Sequence, residues 1–227
     1  MAEDPPLAVD IDGTLTREDR SVDSRVLDVL REWDAPVVVA TGKALPYPVA
    51  LCQFVGVEPC VVAENGGVAY VDDELVYFGD RRAADRVAAE FEDETGDDLG
   101  WGDADLTNRW RETELAVRRD RPLDVLSEIA ERHGRHVVDT GFAYHVKGEG
   151  TSKGDALPAV ARRLGVDVTD FAAVGDSAND VELFETVGES YAVGNADDHA
   201  TDAAGEVLSE THGDGFLAAV ERIRSGT

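Results

Sequence analysis

Apolar runs in the early part of the chain are continuous, and each ends in small or polar residues. Leu7 to Ile11 reads as a fully buried strand that runs into Asp12-Gly13-Thr14. Ser24 to Trp33 follows, with Val26, Leu27, Leu30 and Trp33 at helical spacing on one face. Pro36 to Ala40 (PVVVA) is a second strand and ends at Thr41-Gly42-Lys43. Pro48 to Val55 reads as a short helix. Cys60 to Ala63 is a third strand, closed by Glu64-Asn65-Gly66-Gly67. Strands that are apolar throughout are covered on both faces, and the helices between them supply the crossovers of a parallel sheet. Right-handed crossovers place all these strand ends on one edge.

After Gly67 the pattern changes. Val68 to Tyr77 alternates around a turn at Asp72-Asp73, which predicts a hairpin. Arg81 to Thr95 reads as a charged helix, and residues 96–110 receive no assignment. Glu114 to Arg118 is a short strand, Pro122 to His133 a helix, and 135–139 with 142–147 a strand pair around Thr140-Gly141. Alternating faces of this kind predict an antiparallel α+β module. The first style then returns: a helix from Gly154 to Leu164, a strand over 170–174, a short strand over 190–193 and a final helix near 214–225. The expected fold is α/β, a Rossmann-like, mostly parallel core (residues 1–79 and 149–227) interrupted by a smaller inserted α+β domain (80–148).

Composition narrows the function classes. The chain has 227 residues, 48 of them acidic and 21 basic, for a net charge of -27. The acidity recurs in predicted helices and loops alike, so disorder explains it poorly. Self-repulsion on this scale is relieved in concentrated salt, and the composition resembles that of proteins from extreme halophiles. Such a surface repels nucleic acids and anionic membranes. No apolar stretch approaches membrane-span length, and the opening MAEDPP has no basic region ahead of an apolar one. The expected location is cytoplasmic. Cys52 and Cys60 lie close in sequence and allow a bridge, but apolar neighbours in a cytoplasmic chain favour reduced, buried thiols. Only three lysines occur, Lys43, Lys147 and Lys153. Lys147 is open to either a functional or a surface role.

Chemistry concentrates at strand ends. Asp10 and Asp12 close the first strand, and Gly175-Asp176-Ser177-Ala178-Asn179-Asp180 follows Phe171-Ala172-Ala173-Val174. Ligands of open parallel sheets bind outside the carboxyl ends of the strands, where helix N-termini and free N–H groups favour anions. Two residues apart on a strand, Asp10 and Asp12 share a side unless the turn at Gly13 redirects the second. Carboxylates this close repel one another unless a cation or proton intervenes. Asp176 and Asp180 complete a hard oxygen site that favours Mg²⁺. Thr41 and Gly42 suit a phosphate cradle, or alternatively a helix cap. Lys153 precedes a helical run and offers one positive charge to a phosphate. Lys43 is either a second such charge or a surface lysine. Asp72-Asp73, Asp97-Asp98 and Asp197-Asp198 read as solvated or turn acids.

These motifs resemble those of the haloacid dehalogenase superfamily of phosphohydrolases, in the branch with a cap inserted after the third core strand. Asp10-Ile11-Asp12-Gly13-Thr14 matches the first family motif, Thr41 the second, Lys153 the third, and the GDSAND turn the fourth. The resemblance implies that Asp10 is the nucleophile that forms an aspartyl-phosphate. Asp12 then protonates the leaving alkoxide and afterwards activates water. It also implies a Mg²⁺ ion held by the Asp10 carboxylate, the Asp12 backbone carbonyl and Asp176, with Asp180 in direct or water-mediated contact. Thr41, Gly42, Lys153 and Asn179 would hold the phosphate. Where the family often carries Arg after the Thr-Gly of its second motif, this chain has Lys43, a point charge rather than a planar fork. The short insert and ENGG resemble the archaeal phosphoglycolate phosphatases, which implies a small phosphorylated metabolite, 2-phosphoglycolate, as substrate for a monomer or homodimer. In the insert, His145, Lys147 or an arginine would meet the glycolate carboxylate. The alternatives are a phosphatase for sugar phosphates or another small phosphoester, a mutase, and a non-catalytic binding protein on the same fold.

Overall fold

The computed structural model describes residues 4–226; the opening Met1-Ala2-Glu3 and the final Thr227 lie outside the described residues. In chain order the elements are β1 (Leu7–Val9), α1 (Ser24–Arg31), β2 (Val37–Ala40), α2 (Pro46–Val55), β3 (Val61–Ala63), β4 (Val68–Val71), β5 (Glu74–Tyr77), α3 (Arg81–Thr95), β6 (Leu115–Val117), α4 (Leu123–Arg132), β7 (Arg135–Asp139), β8 (Tyr144–Gly148), α5 (Lys153–Leu164), β9 (Ala172–Gly175), α6 (Val181–Thr186), β10 (Glu189–Ala192), α7 (Asp198–Ala203), β11 (Glu206–Val207) and α8 (His212–Ser225).

The larger sheet runs β11-β10-β9-β1-β2-β3-β4-β5. Pairing is parallel from β11 to β3 and antiparallel through the β4–β5 hairpin. Its strands are buried on both sides, and the alternation is visible in β1. Leu7 and Val9 join the core under α1 and α8, with Val26, Leu30, Phe216 and Val220. Ala8 faces the other way, with Leu157 and Val160 of α5 and Leu183 of α6. Each fully buried aliphatic side chain of this kind contributes roughly 1.5–3 kcal/mol relative to exposure.

The inserted unit has its own sheet, β6-β8-β7, antiparallel throughout. Its core is separate: Val87 and Phe91 of α3 and Leu126 and Ile129 of α4 pack on Leu115, Val117 and Val146. Burial of one sheet face by two helices matches the alternation that marked this stretch in the sequence.

The outcome departs from the sequence expectations at short elements. β1 stops at Val9, because the Leu15 amide donates to the Ile11 carbonyl and turns the chain there. α2 begins earlier than expected, at Pro46, a residue suited to a first helical turn. α6, α7 and β11 were not anticipated; they span six, six and two residues, too few for periodicity to register. Residues 96–110 contain no helix or strand. Cys52 and Cys60 are both free and buried, and burial pushes their thiols up to about 11 and about 12.

Candidate active site

Chain order reverses at β1. β2 pairs on one side of it and β9 on the other, with Val9 opposite both Val39 and Val174. The Asp10 amide donates to the Val174 carbonyl at 3.0 Å, so the residues after β1 and β9 leave the sheet side by side. This is the crevice that a reversal of strand order opens. It brings the Asp10 and Asp176 motifs together across most of the chain.

One oxygen from each of Asp10, Asp176 and Asp180 lies within 4.8 Å of the others. Lys153, the first residue of α5, sits against them fully buried. Its Nζ donates to Asp10 Oδ1 at 2.7 Å, Asp180 Oδ1 at 2.7 Å and Asn179 Oδ1 at 3.0 Å. Burial alone would lower the lysine's pKa, but the Asp10 and Asp180 carboxylates outweigh it and raise it. Asp180 Oδ2 accepts the Asp176 and Ser177 amides at 3.0 and 3.1 Å, which folds the acidic turn back on itself. Gly13 is required here: its φ is +82°, and a Cβ would lie 2.0 Å from Asp176 Oδ2. Asn195 closes the arrangement, donating to the Gly13 carbonyl at 3.1 Å and accepting the His212 amide at 2.6 Å.

Three carboxylates face one ammonium, and the imbalance shows in their acidity. Burial, followed by the balance of nearby charges, raises Asp10 and Asp176 well above the ordinary carboxylate range. Oxygen-only donors with two negative charges in excess match a hard divalent cation. The residues present therefore fit a metal of that class.

Asp12 behaves differently from Asp10. The turn at Gly13 redirects it: Asp10 is buried, whereas the Asp12 side chain is 53% exposed and pairs with Lys43 Nζ at 2.9 Å. Its carboxylate lies outside the three-oxygen cluster but lines the same cleft. Thr41 is buried at the end of β2, where its Oγ1 accepts the Lys43 amide at 3.2 Å. Gly42 allows close approach, since a Cβ there would lie 2.9 Å from Asn65 Oδ1. Thr41, Gly42, Lys43 and Asn179 all line the cleft, whose volume is about 470 Å³.

The inserted unit roofs this cleft with Arg111, Thr140, Gly141, Phe142 and His145. Lys147 does not join them; it is buried on β8, opposite His136. The ENGG segment forms the seam. Glu64 is fully buried, and its carboxylate accepts the Glu112 and Thr113 amides at 2.8 Å each and the Thr113 hydroxyl at 2.7 Å. Asn65 donates to Glu114 at 3.1 Å and accepts from Asn179 Nδ2 at 3.0 Å. Glu64, Asn65, Arg111, Glu114 and Asn195 were not singled out as site residues from the sequence. Only ENGG carried a signal, as a strand-end cluster of polar and small residues. Asp197 is more than a solvated acid: it caps α7 and accepts the Ala178 amide at 2.8 Å, bracing the acidic turn.

The family model of the haloacid dehalogenase-like hydrolases matches residues 7–90 and 118–220. The chain belongs to this family. A Halobacterium salinarum protein named phosphoglycolate phosphatase is 78% identical over 222 residues, covering 98% of each chain. An Archaeoglobus fulgidus protein of the same name is 34% identical over 223 residues, covering 97% of each. Among solved structures, Thermoplasma acidophilum protein 0175 superposes with a TM-score of 0.84 at 23% identity, covering 97% of this chain and 98% of that one. That likeness concerns the fold. The halobacterial relatives also agree with the salt-adapted composition.

Proposed function

We propose that the protein is a Mg²⁺-dependent phosphoglycolate phosphatase that hydrolyses 2-phosphoglycolate to glycolate and phosphate. The observation that carries the reading is a match over nearly the whole chain to proteins of that name, 78% and 56% identical, joined to the Asp10-Asp176-Asp180 cluster beside buried Lys153. The core, residues 1–79 and 149–227, supplies the reaction; the insert, 80–148, reads the leaving group.

Asp10 is the nucleophile. Lys153 occupies its Oδ1, leaving Oδ2 to attack phosphorus while the bond to the glycolate oxygen breaks. Asp12 gives its proton to that oxygen; its carboxyl lines the cleft beside Asp10 and stands outside the three-oxygen cluster, within reach of a departing group. Asp12 then takes a proton from water, which attacks the aspartyl-phosphate and releases phosphate. Thr41, the Gly42 backbone, Lys153 and Asn179 hold the phosphoryl oxygens. The Asp10 carboxylate, the Asp12 carbonyl, Asp176 and Asp180 would hold Mg²⁺, which screens the repulsion between nucleophile and phosphate and stabilises charge on the transferring group. Two buried, free thiols suit a reducing, cytoplasmic compartment.

The test is turnover of 2-phosphoglycolate, hexose phosphates and other phosphomonoesters in concentrated salt with Mg²⁺. Preference for 2-phosphoglycolate supports the reading; preference for a hexose phosphate rejects the substrate. Asp10→Asn is expected to abolish turnover with the fold intact, and undiminished turnover removes Asp10 from the nucleophile role.

A further inference from the structure

Three ionisable side chains of the insert, Arg111, Glu114 and His145, form a closed cluster above the cleft. Their side chains are 4%, 1% and 4% exposed. Arg111 Nη1 donates to Glu114 Oε1, and His145 Nδ1 lies 2.9 Å from the same oxygen. Asn65 Nδ2 donates to both Glu114 oxygens, at 3.2 and 3.1 Å. Burial raises the Glu114 pKa, but His145, Arg111 and the Asn65 hydrogen bond prevail and hold it at about 2. Glu114 is thus a fixed anion that clamps two nitrogen-bearing side chains.

What these groups leave unused points into the cleft. Arg111 spends Nε on the Thr107 carbonyl at 3.1 Å and Nη1 on Glu114, which leaves Nη2 without a partner among the described residues. Glu114 accepts only, so His145 Nδ1 carries a proton toward it and Nε2 stays unpartnered. Arg111 and His145 both line the cleft. From Glu114 the chain Asn65–Asn179–Lys153 reaches Asp10 through two asparagine side chains, with links of 3.1, 3.0, 3.0 and 2.7 Å. The clamp is therefore tied to the nucleophile by a continuous chain of hydrogen bonds.

We infer that Arg111 and His145 bind the carboxylate of a short phosphorylated acid, and that Glu114 is the positioning residue that holds both. This rests on the proposed phosphoglycolate activity and names the residues that would select it. The other cations of the cleft are less suited. Arg17 pairs with Asp23, Lys43 pairs with Asp12, and Arg20 is exposed. Exposed charges act over only about 3 Å at molar salt. In such a medium a carboxylate is selected by buried, direct hydrogen bonds, and an arginine edge is well shaped for it.

The experiment compares 2-phosphoglycolate with ethyl phosphate, which has the same two-carbon length and no carboxylate. In the native enzyme kcat/KM is expected to favour 2-phosphoglycolate by at least about a hundredfold, as loss of two charge-assisted contacts implies. Arg111→Gln is expected to lower kcat/KM for 2-phosphoglycolate by about ten- to a hundredfold, mainly through KM, and for ethyl phosphate by less than about threefold. His145→Gln is expected to show the same selectivity, which keeps the test available if Arg111→Gln does not fold. Glu114→Gln is expected to raise KM for 2-phosphoglycolate selectively, where a purely structural role would depress both substrates together. Equal losses on both substrates, or a selective loss in Arg20→Gln instead, overturn the clamp and leave the phosphatase reading standing. A native enzyme that fails to favour the carboxylate substrate overturns both.

Discussion

Asn65 Oδ1 accepts a hydrogen bond from Asn179 Nδ2 at 3.0 Å, although 114 positions separate them in the chain. Asn65 sits at the end of β3 and Asn179 in the turn after β9, and neither strand pairs with the other. Asn179 Oδ1 accepts from Lys153, while Asn65 Nδ2 donates to Glu114 in the insert. One amide pair therefore ties the buried lysine to the roof of the cleft. The Asn65 φ of +52° is a left-handed conformation, which asparagine tolerates better than most side chains.

Asn65→Ala should test that tie. It deletes the bonds to Glu114 and Asn179 and leaves a buried carboxylate short of a donor, at a cost of about 1–3 kcal/mol. The left-handed backbone adds about 1–2 kcal/mol. Thermal unfolding at fixed salt should show a clear loss of stability, and turnover should fall as Lys153 loses its brace. Asn65→Asp keeps the backbone preference but sets a second carboxylate against Glu114, so it too should destabilise. An unchanged melting temperature in both variants would show that the amide bridge contributes nothing.

Glu64 holds the insert by its backbone, and its carboxylate is matched to the Glu112 and Thr113 amides and the Thr113 hydroxyl. Glu64→Ala strands these donors in a buried seam. The expected cost is about 2–4 kcal/mol, as for loss of several hydrogen bonds to one charged acceptor. Hydrogen exchange should locate it: amides at 112–117 should exchange faster than those of β1 and β9. Uniform exchange across both sheets would argue that Glu64 has no special hold on the insert.

The large features were legible because they rest on repetition. Five core strands ended where apolar runs met polar turns, and the acidic pair at Asp10 and Asp12 and the GDSAND turn both followed such runs. α3 was readable to the residue, since Asp80 caps it and Gly96 closes it in a left-handed conformation. The seam was not legible. Glu64 and Asn65 work through partners 48 or more residues away, and no local period encodes that. Arg111 and Glu114 adjoin a stretch without helix or strand, where pattern has nothing to act on. Lys147 was readable as a scarce lysine, but not as one buried on the same face of β8 as His145 yet outside the cleft, among the charges of Glu114, Glu182 and Asp155.

Gly13 carries a prediction with a steric cause. A methyl group there would lie 2.0 Å from Asp176 Oδ2, and φ is +82°. In Gly13→Ala the Asp176 carboxylate must move out of the three-oxygen cluster, or the turn after β1 must shift. Either change weakens a hard-cation site that depends on donor placement. The Mg²⁺ concentration for half-maximal activity should rise by about tenfold or more. An unaltered Mg²⁺ titration would show that Asp176 is not needed at the metal.

Stability of the metal-free protein should fall as pH rises. Asp10 and Asp176 are raised from 3.8 to about 7 and about 9. Between those limits the folded protein keeps protons that the unfolded chain has released, so the slope of stability against pH is negative. Glu114 acts in the opposite sense: lowered from 4.5 to about 2, its contribution is present above the unfolded value and is lost as pH falls toward 2. The metal-free optimum should therefore lie near the mildly acidic overlap of the two, at about pH 4–5. Mg²⁺ replaces the retained protons as the counter-charge, so its binding should raise the melting temperature most at high pH, where proton retention no longer relieves the repulsion. Thermal unfolding with a chelator and with Mg²⁺, at one ionic strength across this range, would separate the two curves. A chelated protein that grows steadily more stable from mild acid to pH 9 would contradict the assignment of Asp10 and Asp176 to one strained, cation-seeking cluster.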